Sequence, residues 1–243
     1  MPTIEDLLRE KRRYNLKEEV TQAEEYLLQK NTPVQKIIGY VDMANVRIDV
    51  RNKVLIPRYE TEELIMRLIN EIPKNSRVLD LGCGSGFIAI ALKYNRPDLE
   101  VVASDIDEVA IKTTKMNALL NGVKIEVIQS SYFYELSKFQ GANAFDVIVS
   151  NPPYLQPSEV SDLSVLEHEP HLALFSDRLG WDTTYRILKN FRAYVKDNAT
   201  LYFEINPNHI HLWEQLKDAF DIEITKDMEK RDRFVKIQMH PKF

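Results

Sequence analysis

The stretch that most constrains the fold of this chain is residues 77–92, RVLDLGCGSGFIAIAL. A short apolar run typical of a buried strand ends at residue 81, a segment with three glycines follows, and an apolar helical stretch begins at Phe87. A strand that turns through glycines into a helix leaves backbone N–H groups free, and glycines let a ligand approach them. The chain has only 7 glycines, so this clustering favours a binding loop, although a tight strand–helix turn would need the same residues.

Length and charge narrow the class of protein. With 243 residues the chain is long enough for one large domain, or for one domain with a small addition. The formal net charge is −5 and charges of both signs are interspersed, which argues against a nucleic-acid-binding surface as the main source of affinity. We therefore expect no direct nucleic-acid binding, and we separately expect a monomer.

The sequence also predicts a cytoplasmic protein. Cys83 is the one cysteine, so no disulfide can form within the chain, which suits a reducing compartment. We interpret it as a small side chain that fits the glycine turn rather than as a reactive thiol. The first residues carry no charged-then-apolar leader, and no apolar stretch approaches the about 20 residues that a membrane span needs.

The chain is predicted to have three parts. Residues 1–31 form a short helical segment, with Thr3 and Asp6 as a capping box and apolar residues at helical spacing behind them. Residues 32–74 form a β-hairpin and a connecting helix, and residues 75–243 form the main α/β domain. The first part has too little apolar surface for a core of its own, so it must pack on the rest of the chain or on a partner.

Two features define the middle part. Apolar and charged residues alternate over residues 46–50, which predicts a half-buried strand that pairs in a hairpin with residues 53–56. Pro57 ends that second strand. Thr61 and its acidic neighbours then open a helix with one apolar side.

Beyond the glycine segment the sequence alternates between strand and helix. Asp105 ends an apolar strand 19 residues beyond Gly86, where dinucleotide-type folds place an acid that accepts hydrogen bonds from ribose hydroxyls. The alternative is a role as helix cap, but Asp107 is better placed for it. Tyr132 follows the third strand, residues 125–129, and suits either an adenine face or the core.

The residues with the most specific chemistry follow the fourth strand, residues 145–150. They are Asn151, Pro152, Pro153 and Tyr154. The prolines fix the backbone and lack N–H groups, so the carbonyl oxygens there are rigid acceptors, and Asn151 adds a side-chain carbonyl. Such a pair of acceptors suits one NH2 group, and Tyr154 adds a flat face beside it. A plain turn is the alternative, but it fits poorly where open α/β sheets bind their ligands.

The glycine segment, the ribose acid and Asn-Pro-Pro-Tyr, in this order, resemble a class I S-adenosylmethionine-dependent methyltransferase that acts on a planar amino group. Two groups of such enzymes share Asn-Pro-Pro-Tyr: adenine-N6 methyltransferases, and the glutamine-N5 methyltransferases of peptide chain release factors. Four flanking stretches resemble the release-factor enzymes, the most specific being VLIPRYETEEL at residues 54–64; the others are residues 33–39, 169–174 and 227–234. The chain is thus identified as a member of this family over about residues 30–236.

That resemblance implies a fold, a donor and an acceptor. The fold is a Rossmann-like α/β domain with a seven-stranded, mostly parallel sheet whose last strand, near residues 234–238, is antiparallel. The methyl donor is S-adenosyl-L-methionine. The acceptor is the side-chain amide nitrogen of a glutamine in the Gly-Gly-Gln motif of release factors, which are the expected partners.

The resemblance also assigns site residues. Those expected to bind the donor are Asp80, Gly82, Cys83, Gly84, Ser85, Gly86, Asp105, Ile106, Tyr132 and Asn151. Those expected to hold the acceptor amide and promote the transfer are Asn151, Pro152, Pro153 and Tyr154, with Arg58 as a further substrate contact.

The chain also departs from the family pattern. Proline, aspartate and glycine are usual where this chain has Tyr59, Ser131 and Asn206, and the helical segment before the hairpin is shorter than usual. We interpret these differences as drift in a small member, because the glycine segment, the acid and the tetrapeptide are intact.

Two other functions remain open from the sequence. An adenine-N6 methyltransferase acting on RNA or DNA would need a basic groove or a target-recognition insertion, and the sequence offers neither. A nucleotide-binding regulator with the same fold would have no use for the amino-group acceptors. The 5 histidines are scattered without a supporting carboxylate or cysteine constellation, so no metal site is predicted.

Overall fold

The computed structural model describes residues 1–239, so the last four residues of the predicted main domain lie outside the described residues. The helices are α1 (Ile4–Arg13), α2 (Gln22–Gln29), α3 (Val34–Ile38), α4 (Tyr59–Glu71), α5 (Phe87–Asn95), α6 (Glu108–Leu120), α7 (Leu163–His168), α8 (His171–Leu174), α9 (Asp177–Gly180), α10 (Asp182–Asn190) and α11 (Ile210–Gln215). The strands are β1 (Tyr40–Met43), β2 (Val46–Asp49), β3 (Arg77–Leu81), β4 (Glu100–Asp105), β5 (Glu126–Gln129), β6 (Phe145–Ser150), β7 (Val195–Glu204), β8 (Asp221–Lys226) and β9 (Asp232–Gln238). Short 3₁₀ helices cover Tyr134–Phe139, Gly141–Asn143, Pro157–Glu159, Phe191–Tyr194 and Pro207–His209.

The main sheet has seven strands in the order β5-β4-β3-β6-β7-β9-β8. Strands β3 to β7 pair in parallel, and β9 lies antiparallel between β7 and β8. This confirms the predicted seven-stranded, mostly parallel sheet with an antiparallel last strand. After β3 the chain continues to β4 on one side, whereas β6 lies on the other side, so the strand order reverses at β3.

Apolar side chains of the strands alternate between two layers of helices. On β3, Val78 belongs to the cluster that contains α4 and α5, whereas Leu79 and Leu81 belong to the cluster around Trp213 on the opposite face. Residues 87–92 of α5 are all buried, which explains why this helix has no polar face. A helix so enclosed holds the glycine segment before it in a fixed position.

No helix within residues 1–239 is long and apolar enough to cross a membrane.

The predicted hairpin was wrong in its second strand. β2 pairs with β1, which precedes it in the chain, and not with residues 53–56. The turn residues Ala44 and Asn45 have φ of 46° and 66°, and positive φ at both turn positions suits a two-residue connection between twisted strands. Neither residue is a glycine, so the turn carries only a weak signal in the sequence.

Residues 50–54 form a loop instead, and a half-buried lysine holds it. Lys36 Nζ donates to the carbonyl oxygens of Val50 and Asn52 at 2.9 and 2.6 Å. Burial lowers the pKa of Lys36, as expected for an ammonium group removed from water. The loop leads directly into Leu55, which lines the cavity described below.

The N-terminal helices pack on the rest of the chain through a small apolar cluster. The capping box predicted at Thr3 is present: its Oγ1 accepts from the N–H of Asp6, whose carboxylate accepts from the N–H of Thr3. Leu7 and Leu28 form a buried cluster with Val34 of α3. The contact with α3 supplies the apolar surface that the first two helices lack on their own.

Candidate active site

A cavity of about 200 Å³ opens at the carboxyl ends of β3, β4 and β6, where the strand order reverses. Open α/β sheets bind their ligands at this place. Most of the predicted site residues line this cavity: Arg58, Gly82, Cys83, Gly84, Ser85, Asp105, Ile106, Tyr132, Asn151, Pro152 and Pro153. Among the described residues, the predicted Asp80, Gly86 and Tyr154 are not part of its wall.

The three glycines of the loop serve two purposes. Gly82, Gly84 and Gly86 have φ of 79°, 54° and 84°, a conformation that glycine adopts without strain. A Cβ at Gly82 or Gly84 would meet no atom of the chain within 4 Å, so both leave open space. A Cβ at Gly86 would lie 2.9 Å from Ile90 Cδ1 and from Thr114 Cγ2, so this glycine allows α5 and α6 to pack together. The structure therefore places Gly86 at a packing position outside the cavity wall.

Asp80 also lies behind the glycine loop rather than at the cavity. It is fully buried, and its Oδ2 accepts a hydrogen bond from the N–H of Ala89, in the first turn of α5, at 3.0 Å. Since the N-cap residue Gly86 has no side chain, Asp80 caps this helix in its place. Oδ1 is buried without a partner in the described chain, and burial raises the pKa of Asp80 to about 7.

The stability of the donor-free protein should therefore depend on pH through Asp80. The folded state, with a pKa of about 7 against 3.8 for a solvent-exposed aspartate, binds the proton more tightly than the unfolded chain. The contribution of Asp80 to the free energy of unfolding is thus fully present below the unfolded-state pKa. It is lost as the pH rises towards the folded-state pKa. We expect Asp80→Asn, which keeps an acceptor for Ala89, to raise the unfolding free energy at pH 8 by up to about 4 kcal/mol.

Urea unfolding at pH 8 and pH 5 measures this effect. The gain from Asp80→Asn should be clearly smaller at pH 5, because wild-type Asp80 is then mostly protonated in the folded state. An equal gain at both pH values, or none at pH 8, would contradict the assignment of a buried carboxyl with a raised pKa.

Asp105 lies at the end of β4, as predicted, and is bound to the glycine loop. Its Oδ2 accepts from the N–H of Gly84 and its Oδ1 accepts from the N–H of Asp107, each at 2.9 Å. Asp107 caps α6 through the N–H of Val109, as predicted. Burial raises the pKa of Asp105 despite its hydrogen bonds. Each carboxylate oxygen has a further lone pair for a hydroxyl donor.

Asp105→Ala should weaken the binding of S-adenosylmethionine by about 1.5–3 kcal/mol, the usual contribution of hydrogen bonds to a charged group. Titration calorimetry of donor binding measures it. Asp105→Asn keeps the shape and one acceptor but loses the charge, so its effect should be intermediate. Wild-type affinity in Asp105→Ala would show that the acid only positions the glycine loop.

The cavity wall between β4 and β5 suits a flat, apolar group. Ile106 and Tyr132 both line it, and Tyr132 has φ of 52°. Tyr132 also packs against the apolar cluster around Trp213, so it belongs to the cavity wall and to the edge of the core at once. Cys83 is buried, and burial raises the pKa of its thiol well above the ordinary value, in agreement with a small packing residue.

Asn151 belongs to a hydrogen-bond network that the sequence did not reveal. Its Nδ2 donates to Thr61 Oγ1 at 3.2 Å, and Thr61 Oγ1 donates to Glu204 Oε2 at 2.6 Å. The Tyr154 hydroxyl donates to the other oxygen, Glu204 Oε1, at 2.9 Å. In the sequence Thr61 marks a helix start within the family-like stretch at residues 54–64, and neither feature predicts this contact. Glu204 and Ile205 resemble the fifth-strand motif of the family, and Glu204 ends a core strand, where the other polar site residues also lie.

A second cavity, of about 310 Å³, lies beside the first. Asn151 and Pro152 line both cavities, whereas Tyr154 and Glu204 line only the second. Burial raises the pKa of Tyr154 well above the ordinary value, so its hydroxyl stays protonated and remains a donor to Glu204. Tyr154 is therefore next to the acceptor pair, as predicted, but on the far side from the glycine loop.

Comparison with known proteins identifies the family. Residues 59–168 match the methyltransferase small domain family. The chain is 40% identical over 203 residues to the release factor glutamine methyltransferase of Streptococcus pneumoniae, an alignment that covers 79% of this chain and 71% of that protein. It is 34% identical over 219 residues to the protein of the same name from Lactococcus lactis, with 87% and 79% covered. The chain belongs to the release factor glutamine methyltransferase family.

A solved structure agrees with this family's fold. The methyltransferase from Pyrococcus furiosus superimposes with a TM-score of 0.61 at 13% identity, over 91% of this chain and 100% of that chain. At such low identity the likeness concerns the fold alone. It supports the class I methyltransferase architecture described above.

An ion pair between Arg58 and Glu169 connects two of the family-like stretches, residues 54–64 and 169–174. Its guanidinium binds both oxygens of Glu169, at 2.7 and 2.9 Å, and Glu169 Oε2 also accepts from the N–H of Ile56 at 3.2 Å. Glu169 is only 1% exposed. Arg58 lines both cavities, and its charge is paired with that of Glu169.

Two departures from the family pattern have local structural partners. Tyr59 is the first residue of α4, and its hydroxyl is hydrogen-bonded to Arg13 of the N-terminal segment. Asn206 has φ of −75°, so glycine is not needed there. Its Nδ2 donates to the Tyr154 carbonyl oxygen at 3.3 Å and to Glu159 Oε1 at 3.1 Å. Asn206 thus holds the backbone of the Asn-Pro-Pro-Tyr segment.

The third departure, Ser131, lies in the cavity wall. Its N–H donates to Glu135 Oε2 at 3.0 Å, which fixes the turn before Tyr132.

The described residues contain no group of three or more histidine, cysteine, aspartate or glutamate side chains that could hold a metal ion.

Proposed function

We infer that this chain transfers a methyl group from S-adenosylmethionine to the side-chain amide nitrogen, N5, of a glutamine in a peptide chain release factor. Beyond the family assignment, one observation supports this inference: Asn151 and Pro152 line both cavities. A donor held in the first cavity and an amide inserted through the second would meet at these two residues.

The first cavity suits the donor in three respects. The open space at Gly82 and Gly84 allows a ligand to approach the loop backbone. Asp105 offers carboxylate oxygens to the ribose hydroxyls, and Ile106 and Tyr132 offer apolar surface to adenine. When bound, S-adenosylmethionine supplies an activated methyl group on its sulfonium.

On the acceptor side, we propose that Asn151 Oδ1 and the Pro152 carbonyl oxygen accept the two N–H bonds of the glutamine amide. Within residues 1–239 neither oxygen receives a hydrogen bond from the chain. Both acceptors are held in place, because the proline ring restricts the backbone and Thr61 holds the Asn151 amide.

This arrangement addresses the chemical difficulty of the reaction. An amide nitrogen is a poor nucleophile because its lone pair is delocalised into the carbonyl. Two acceptors on its N–H bonds orient it and favour the positive charge that develops during the transfer. Holding both reactants in line contributes about 7–11 kcal/mol in favourable cases. The proton can leave after the transfer, so no general base is required.

The adenine-N6 alternative would use the same two acceptors on an aromatic amine. The family assignment favours the glutamine amide, and the net charge of −5 argues against a nucleic-acid substrate.

Mass spectrometry of release factors incubated with the protein and S-adenosylmethionine tests the proposal. We expect a gain of one methyl group on the glutamine of the Gly-Gly-Gln motif. A factor with this glutamine replaced by alanine is the control and should remain unmodified. Equal modification of the control, or methylation of an adenine oligonucleotide alone, would overturn the glutamine assignment.

A further inference from the structure

We propose that Thr61 and Glu204 set the direction in which the Asn151 side-chain amide faces, so that its oxygen and not its NH2 group meets the substrate. Both are positioning residues that act through Asn151. The inference rests on the proposed function for the identity of the substrate. The orientation of the amide itself follows from contacts within the chain.

The network starts from a buried carboxylate. Glu204 is 1% exposed, and its oxygens accept from Thr61 Oγ1 and from the Tyr154 hydroxyl. Burial raises the pKa of Glu204, whereas the hydrogen bonds from the two hydroxyls and the charge of Arg233 oppose that rise and favour the carboxylate. An ionised carboxylate has no proton to give, so both hydroxyls donate to it. Arg233 attracts Glu204 electrostatically, but its guanidinium is hydrogen-bonded to Asp227, which leaves the carboxylate oxygens to the two hydroxyls.

The single hydroxyl proton of Thr61 then determines the orientation of the Asn151 side-chain amide. A threonine hydroxyl carries one proton, and that of Thr61 is given to Glu204 at 2.6 Å. Towards Asn151, 3.2 Å away, Thr61 Oγ1 can therefore only accept. The side of the amide that faces Thr61 must be the NH2 group, and Oδ1 must point to the other side, between the two cavities.

The opposite orientation would fail at both ends. A flipped amide would place Oδ1 against Thr61 Oγ1 with no proton between the two acceptors. It would also present an NH2 group to the substrate NH2 group, so that two donors would face each other. The network therefore makes the site selective for an acceptor molecule that brings N–H bonds to Asn151.

Matched threonine variants test this role in single-turnover methyl transfer. Thr61→Val keeps the side-chain shape but removes the hydroxyl, and we expect the rate to fall about 10–100-fold, the usual loss when a reacting group is misplaced. Donor affinity should change little. Thr61→Ser restores the hydroxyl and should recover most of the rate.

Thr113→Val is the control for loss of a buried threonine hydroxyl. Thr113 Oγ1 accepts from Asn52 Nδ2 at 2.9 Å and donates to the Val109 carbonyl oxygen at 2.7 Å. Like Thr61, it therefore links a side-chain amide to an acceptor oxygen. Unlike Thr61, it lies outside the wall of the first cavity. We expect Thr113→Val to keep the wild-type rate.

Glu204→Gln separates positioning from stability. Its NH2 group can donate to Thr61, which frees the Thr61 proton and permits the wrong amide orientation, so the rate should fall as in Thr61→Val. The melting temperature should not fall, because a buried charge is removed from a side chain of the same shape. A parallel loss of rate and melting temperature would instead indicate a merely structural role.

The amide orientation can also be observed without any substrate. In ¹⁵N-asparagine-labelled protein, the Asn151 Nδ2 protons should exchange slowly with solvent in wild type and in Thr61→Ser, and rapidly in Thr61→Val. The signal is assigned by its absence in Asn151→Ala. Unprotected Asn151 protons in wild type, or a wild-type rate in Thr61→Val, would overturn the proposal. Protected protons in a wild-type protein that does not methylate release factors would instead overturn the proposed function alone.

Discussion

Asn151→Ala lowers the single-turnover rate of glutamine methylation by about 10²–10³-fold, the usual cost of removing one preorganised polar contact from a transition state. The variant loses Oδ1, one of the two acceptors proposed for the substrate amide. It also leaves Thr61 without its donor at 3.2 Å. The amide nitrogen would then be held by the Pro152 carbonyl oxygen alone and could rotate away from the methyl group.

Donor affinity separates this effect from a general loss of the site. It should fall much less than the rate in Asn151→Ala, because the proposed donor contacts come mainly from the glycine loop and Asp105. Asn151→Asp keeps an acceptor of the same shape but adds a charge and loses the NH2 donor to Thr61, so its rate should also be low. Methylation by Asn151→Ala at the wild-type rate would show that the acceptor pair is wrongly assigned.

The second large effect is expected at the glycine loop. Gly84→Val should raise the dissociation constant for S-adenosylmethionine by about 10–100-fold, since groups inserted into a packed site usually cost about 1–3 kcal/mol. The added side chain meets no atom of the chain within 4 Å of its Cβ, so it would occupy the space proposed for the donor. Titration calorimetry gives the dissociation constant directly.

Gly122→Val is a closely matched control. Gly122 has φ of 64°, similar to the 54° of Gly84, and a Cβ there also meets nothing within 4 Å. Both variants therefore carry a similar backbone strain, but Gly122 lies after α6 and outside the cavity wall. Equal donor affinity in the two variants, whether both normal or both weak, would remove the glycine loop from the proposed donor site.

The departures from the family pattern bear on how much of the family's behaviour this chain retains. Each of the three differing residues makes a defined hydrogen bond. Tyr59 bonds to Arg13, the N–H of Ser131 to Glu135, and Asn206 to the Tyr154 carbonyl oxygen. None of them removes a hydrogen bond from the Asn151 network. The structure is therefore consistent with an intact site.

The sequence determined the parts of this protein that depend on neighbouring residues. Backbone preferences and helix capping act locally. Each of these features therefore depends on only a few consecutive residues: the strand and helix periods, the glycine turn and the proline-fixed carbonyls. From these the sheet, the loop, Asp105 and Asn151 could be predicted. Parallel strands align their carboxyl ends, so the separate segments were also expected to meet at one edge.

Only the tertiary structure decided which atoms meet across long separations. Thr61 and Glu204 are 143 positions apart, and the hydrogen bond between them exists because α4 packs against β7. The same holds within the glycine loop, where Gly86 and Asp80 differ from Gly84 in role although all belong to one motif. Their roles depend on the packing of α5 and α6 behind the loop, and no local pattern specifies the distance between two packed helices.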